Sequence, residues 1–168
     1  MVPVTVHDAE WGGCEPEGPM NVDIVLQDGM KFEARGEDGL AVALDAASEH
    51  GGLGSGFRPL ELLLVGLGSC TAMDVISILR KKRQKVTGYR IAVSAEQRTD
   101  EYPHVFTHVT VHHIIAGQDV APEAVRRAIE LSENKYCPAY AMLSQAVPIS
   151  STWEIQNVAG SMVSSNRD

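Results

Sequence analysis

One long segment, running from Phe57 to Arg83, constrains the fold more than any other feature of the chain. Pro59 suits the first turn of a helix, where the missing N–H has no intrahelical partner to lose, and no further proline follows until Pro103. The apolar residues of the segment cover every side of a helix. The sequence therefore predicts a helix that is buried on most faces, with Cys70 near its middle.

Alternating apolar and polar residues predict strands on both sides of this helix. Before it, an alternating pattern from Asn21 is broken by Asp-Gly pairs at 28–29 and 38–39, which predicts a three-stranded meander. After it come two long alternating segments, a helical segment near Pro122, a break and a new short helix at Tyr136-Cys137-Pro138, and a last strand around Trp153. This order predicts one α+β domain over 21–157, preceded by a weakly patterned arm (1–20) and followed by a polar tail (158–168).

Composition excludes several classes of function. The net charge of −8 argues against a surface for nucleic acid or anionic membranes. The longest uncharged run in the central helix, Leu62 to Met73, is shorter than the ~18 residues of a membrane span, and no signal peptide is expected. Three cysteines without a Cys-x-x-Cys pair favour a reducing cytoplasm as the location of the protein. The sequence has no phosphate loop and no dinucleotide fingerprint, so no bound cofactor is expected.

Cys70 and Cys137 are the candidate reactive residues, although a buried free cysteine is more often an inert small apolar residue. Cys137 precedes Pro138 and so falls at the N-cap of a helix, where unpaired N–H groups stabilise a thiolate. Cys70 has no such help and needs a cation from elsewhere in the fold. Arg35, at the end of a strand, is a candidate for that cation, or else an ordinary exposed charge.

The remaining polar residues give weaker indications. Glu61 in the first helical turn favours the helix dipole, which is a sufficient structural reason for it. Asp74 is unusual one turn after Cys70 in an apolar helix, which indicates a buried partner or an interface. The histidines at 104, 108 and 112 share a strand face but are spaced by roughly 13 Å, too far for one tetrahedral metal site. No metal site is expected, because the two cysteines are also far apart in sequence.

The two cysteine segments together closely resemble the OsmC/Ohr superfamily, and its OsmC-like branch in particular. These segments read GFRPLELLLVGLGSCTAMDV (56–75) and KYCPAYAML (135–143). The resemblance runs from about Met30 to Ile155. It implies an intertwined homodimer whose two central helices are wrapped by antiparallel sheets from both chains.

The resemblance also implies an activity, because the characterised members of the superfamily are thiol peroxidases that reduce organic hydroperoxides. Cys70 would be the peroxidatic cysteine, oxidised to a sulfenic acid, and Cys137 the resolving cysteine that condenses with it to a disulfide. A lipoyl-type dithiol would reduce that disulfide. The family's arginine maps to Arg35. The glutamate that the Ohr branch uses corresponds to Leu60 of this chain, and Glu61 lies one position later.

Two other interpretations stay open. A dimeric redox-sensing or small-ligand-binding protein on the same fold would react once and not turn over. A purely structural dimer would have a Cys70 no more reactive than any buried thiol. Cys14, in the N-terminal arm, is not expected to take part in any of the three.

Overall fold

A computed structural model describes residues 18–157 and 162–165 of the chain, so most of the predicted arm, with Cys14, lies outside the described residues. The described strands and helices follow in the order β1 (Val22–Asp28), β2 (Lys31–Gly36), β3 (Ala41–Leu44), α1 (Pro59–Lys81), β4 (Lys85–Gln97), β5 (Phe106–Gln118), α2 (Pro122–Leu131), α3 (Pro138–Leu143), β6 (Ile149–Asn157) and β7 (Met162–Ser165). A turn of π-helix, Ser132–Tyr136, joins α2 to α3. The α+β class predicted from the sequence is confirmed.

The strands form two separate sheets. The first is the predicted antiparallel meander β1-β2-β3, with Gly29 and Gly39 at its turns in the left-handed region (φ 54° and 74°). The second has the order β4-β5-β6-β7. Its β5 and β6 run parallel, because the chain between them crosses over through α2 and α3. β7 lies within the stretch 158–168, which the sequence predicts to be a polar tail, and it pairs with β6.

The central helix α1 buries one face within its own chain. Leu67, Thr71, Val75 and Leu79, spaced four residues apart, are at most 1% exposed and pack toward the second sheet and α2. Gly68 allows the closest approach, since a Cβ there would lie 2.8 Å from a methyl carbon of Val93. This packing holds Cys70, which lies on α1, in a fixed position relative to α2 and α3.

The opposite face of α1 and strand β1 of the first sheet are left exposed by the described part of the chain. Leu63, Val65 and Met73 on α1 are 46, 47 and 58% exposed, and every residue of β1 is exposed. The sequence predicts burial on most faces of α1, whereas a single chain provides it on one face only. By length and composition α1 could also span a membrane, but its inner face belongs to the core described above.

Candidate active site

Local sequence fixes the position of Cys137. The π-helical turn that precedes Cys137 ends where the Cys137 N–H donates to the carbonyl of Ser132 (2.9 Å). Pro138 then begins α3. The predicted N-cap position of Cys137 is confirmed, because its sulfur accepts a hydrogen bond from the Tyr140 N–H at 3.3 Å. Cys137 is 2% exposed, so this arrangement holds its thiol inside the protein.

The sulfurs of Cys70 and Cys137 lie 2.9 Å apart, although the residues are 67 positions apart in sequence. Both cysteines are free thiols. A disulfide has an S–S length of about 2.05 Å, so bond formation needs a movement of only about 0.9 Å. The Thr71 hydroxyl lies 3.5 Å from the Cys137 sulfur and donates to the Leu67 carbonyl at 2.9 Å, which fixes it beside the pair.

The pKa of the Cys70 thiol is raised in this chain. Burial is the largest cause, and the neighbouring Cys137 sulfur adds to it. The backbone N–H of Ala139, in the first turn of α3, acts in the opposite direction and lowers the pKa, while the charge of Asp74 raises it. None of these principal influences comes from a cation, so the described part of the chain does not itself provide the activation that a reactive Cys70 requires.

Asp74 belongs to the site, although the sequence did not single it out as a site residue. One carboxylate oxygen and the two cysteine sulfurs all lie within 4.8 Å of one another. The hydroxyl of Ser132, a fully buried residue, donates to the carboxylate at 2.9 Å and is the buried partner that the sequence indicated. Burial raises the pKa of the Asp74 carboxyl, and the hydrogen bond from Ser132 partly offsets that rise.

A pocket of about 480 Å³ opens beside Cys70 along α1. Its walls include apolar side chains from α1, α2 and the π-helical turn, together with Asp74 and, toward the end of α1, two lysines. The apolar and charged lining residues are Met73, Ile78, Leu131, Tyr136, Lys81 and Lys82. The half-buried Cys70 is therefore open to a molecule the size of a small organic compound.

Arg35 lies away from the two cysteines of its own chain. It is on β2 of the first sheet, its side chain is 58% exposed, and it forms an ion pair with Glu33 of the same strand. The described contacts bring neither residue to Cys70. A role for Arg35 at the sulfur therefore requires the first sheet of another copy of the chain.

Glu61 has a partner that sequence analysis missed. Its carboxylate accepts from the Arg58 side chain at 2.6 and 3.0 Å and from the Arg58 backbone N–H at 2.8 Å, and these bonds lower the pKa of Glu61. The spacing of Arg58 and Glu61 at the N-cap and third position of α1 was the available signal. Glu61 is nine residues before Cys70, so within one chain it lies about 13 Å along the axis and half a turn around α1.

Two histidines of β5, His112 and His113, each hydrogen-bond to a neighbouring side chain. His104 precedes β5, which begins at Phe106, and His112 shares a hydrogen bond with the Thr152 hydroxyl at 2.6 Å. His113 is fully buried and shares a 2.6 Å hydrogen bond with the Tyr89 hydroxyl. Burial, with a smaller contribution from His112, lowers the pKa of His113 to about 4, so this imidazole is neutral at pH 7.

Comparison with known proteins identifies chains that this one resembles in sequence and in fold. A family model described as OsmC-like protein matches residues 52–152. Protein YhfA of Escherichia coli (strain K12) is 37% identical over 132 residues, covering 75% of this chain and 98% of YhfA. A hypothetical protein of Aquifex aeolicus VF5 superposes with a TM-score of 0.73 at 27% identity, covering 83% of this chain and 97% of its own. The organic hydroperoxide resistance protein OsmC of Legionella pneumophila, at 15% identity and a TM-score of 0.64, covers 83% and 98% and shares the fold.

Proposed function

This chain belongs to the OsmC-like protein family, as its two cysteine segments predict, and from that premise we propose that it is a thiol-dependent peroxidase that reduces organic hydroperoxides to alcohols. The observation that carries the proposal is the 2.9 Å separation of the Cys70 and Cys137 sulfurs beside an open pocket. A relative with the same fold, from Legionella pneumophila, is named as an organic hydroperoxide resistance protein. Two free thiols this close need a sulfur movement of only about 0.9 Å to form a disulfide.

The chemistry divides between the two sulfurs. The thiolate of Cys70 attacks the terminal peroxide oxygen, the O–O bond breaks, and the alkoxide takes a proton and leaves as the alcohol, with Cys70 oxidised to a sulfenic acid. Cys137 then attacks the sulfur of Cys70, and hydroxide leaves with a proton as water. An external dithiol of the lipoyl type reduces the resulting disulfide by exchange and is itself oxidised. Cys70 is half-exposed and reacts with the substrate, whereas the buried Cys137 reacts only with Cys70.

Activation of Cys70 needs a positive charge, and we assign it to Arg35 of a second copy of the chain. The apolar outer face of α1 and the exposed strand β1, which pairs with the strand that carries Arg35, are the surfaces a homodimer would bury. In that arrangement the first sheet of one copy covers the α1 of the other and brings the guanidinium toward the thiolate. The Arg58–Glu61 pair, separated from Cys70 within one chain, contributes to the site of the neighbouring copy in the same way.

Turnover of cumene hydroperoxide with reduced lipoamide tests the peroxidase directly. We expect many turnovers in the wild type, none in Cys70→Ser and a single stalled turnover in Cys137→Ser, where the sulfenic acid has no resolving thiol. Cys14→Ser serves as the matched control and should retain full turnover. A wild type that consumes at most one equivalent of peroxide per subunit would contradict the proposal.

The alternative is a cytoplasmic redox sensor or binding protein that reacts once. The raised pKa of Cys70, to which the charge of Asp74 contributes, favours it, because a protonated thiol attacks peroxide slowly. The two functions differ in the same assay. A sensor forms the Cys70–Cys137 disulfide with one equivalent of peroxide, and lipoamide then restores it slowly or not at all.

A further inference from the structure

We propose that the reduced thiols of Cys70 and Cys137, together with the carboxylate of Asp74, form a three-ligand site for a thiophilic divalent metal ion of the Zn²⁺ type. The proposal concerns metal binding alone and holds whether or not the protein turns over peroxide. Cys70 and Cys137 are remote in sequence, which argued against a metal, but the fold removes that separation.

The ligand atoms come from two elements in a spacing that suits a metal. Cys70 and Asp74 are four residues apart on α1 and therefore lie one above the other on one helix face, the spacing by which two side chains of a helix bind one zinc ion. Cys137, at the start of α3, supplies the third ligand from the facing element. One atom from each residue lies within 4.8 Å of the other two.

The distances require only a small adjustment. Ligands at about 2.3 Å from a tetrahedral zinc ion place two sulfurs about 3.8 Å apart. The sulfurs of Cys70 and Cys137 are 2.9 Å apart, so binding must separate them by about 0.9 Å. Cys70 is half-buried and lines the pocket, so there is space for a shift of its sulfur on that side.

Each ligand is also oriented by a second hydrogen bond. The Ser132 hydroxyl donates to Asp74, the Tyr140 N–H donates to the Cys137 sulfur, and the Ala139 N–H acts on Cys70. Such outer partners fix the direction of ligand lone pairs at metal sites. A carboxylate beside two thiols opposes thiolate formation until a cation is present. A bound metal ion would supply that cation.

The donor set determines the kind of metal. Two soft thiolates with one carboxylate suit Zn²⁺ and its spectroscopic substitute Co²⁺, and not Ca²⁺ or Mg²⁺, which take oxygen ligands. With three protein ligands, the fourth position faces the pocket beside Met73 and stays open to water or a small ligand. Binding deprotonates both thiols, so each bound ion releases up to two protons.

The test is an anaerobic Co²⁺ titration of the full, reduced chain carrying Cys14→Ser, followed by competition with Zn²⁺. We expect a sulfur-to-cobalt charge-transfer band, intense ligand-field bands typical of four-coordinate Co²⁺, and proton release on binding. Cys70→Ser and Cys137→Ser should each lose about half of the charge-transfer intensity. Asp74→Asn should keep it but weaken affinity by about tenfold or more, at least the cost of losing an outer-shell partner.

Two control measurements complete the test. The disulfide form, prepared with one equivalent of oxidant, should bind no Co²⁺. His112→Gln, which removes a metal-binding side chain elsewhere in the fold, should bind as the parent does. Absence of the charge-transfer band in the reduced parent, or unchanged affinity in Asp74→Asn, would overturn the site, and neither result affects the turnover assay that tests the peroxidase.

Discussion

The hydroxyl of Ser132 donates a 2.9 Å hydrogen bond to the carboxylate of Asp74 and so joins the π-helical turn to the central helix. The carbonyl of the same serine accepts the N–H of Cys137. One buried residue, Ser132, therefore connects the carboxylate beside Cys70 with the backbone of Cys137. Reactivity of Cys70 should respond to changes at Asp74.

Asp74→Asn should make Cys70 more reactive. A charge 4.8 Å away contributes about 0.9 kcal/mol even at the dielectric of water, so its removal should speed alkylation of Cys70 at pH 8 about fourfold or more. Iodoacetamide kinetics in a Cys14→Ser, Cys137→Ser background with a chelator present measure this rate. Asp74→Glu keeps the charge and is the control. An alkylation rate in Asp74→Asn no higher than that of the parent would contradict the assigned effect.

Arg35→Ala should slow the reaction of Cys70 with peroxide by about tenfold or more, because an opposite charge lowers the pKa of an acid by one to three units. Folding stability should hardly change, since the exposed ion pair of Arg35 with Glu33 contributes little. Stopped-flow kinetics with cumene hydroperoxide measure the effect. Lys31→Ala removes a positive charge from the same strand and is the matched control. Equal reaction rates for the two variants would contradict a role for Arg35 at Cys70.

Gly66 and Gly68, which lie two positions apart on α1, should respond oppositely to alanine. Gly68→Ala inserts a methyl group 2.8 Å from Val93 and should lower the free energy of unfolding by about 1–3 kcal/mol. Gly66 has nothing within 4 Å of its position in one chain, where alanine normally adds about 1 kcal/mol of helix stability.

In the proposed homodimer, however, the exposed Gly66 faces a second copy, so Gly66→Ala should weaken self-association instead of stabilising the fold. Sedimentation equilibrium and urea denaturation at several protein concentrations measure both quantities. A Gly66→Ala variant that is more stable by about 1 kcal/mol and associates as the wild type does would show that this face of α1 is not an interface.

Buried His113 should make the protein sensitive to acid. Its pKa is lowered from 6.5 to about 4 in the folded state, so the unfolded chain binds this proton first as the pH falls. The neutral imidazole thus contributes about 3 kcal/mol of stability above pH 6.5, which is lost progressively between pH 6.5 and 4. Urea denaturation across this range should show a shallower slope for His113→Gln, whereas a variant of the exposed His50 should keep the slope of the wild type.

Much of the scaffold could be predicted from local signals. Pro59 determined the start of α1, two Asp-Gly turns determined the meander, and Tyr136-Cys137-Pro138 determined the N-cap of α3. Each signal is contained within a few residues, so it acts before tertiary contacts form. The family pattern then related Cys70 to Cys137, which no local pattern could do.

The rest of the site depends on contacts that sequence patterns do not encode. The bond between Asp74 and Ser132 joins residues 58 positions apart, and the effect of the Ala139 N–H on Cys70 depends on how α3 meets α1. The π-helical turn has no strong sequence signal. It joins α2 to Cys137, and its form depends on where the fold holds that residue. Burial of α1 on most faces was predicted from apolar residues on every side of the helix, but residues 18–157 of one chain do not provide the second covering surface.

The first sheet has a consequence for how this protein responds to dilution. Its three strands bond to one another, while every residue of β1 is exposed and the apolar side chains of Val22, Ile24 and Leu26 are more than half uncovered. No residue of its three strands is fully buried, and a small sheet without a buried apolar face is at best marginally stable in water. In the proposed homodimer, the contribution of this sheet to the free energy of folding depends on association and varies with protein concentration by mass action. As concentration falls below the dissociation constant, amide protons of the meander should exchange first, while the sheet behind α1 stays protected.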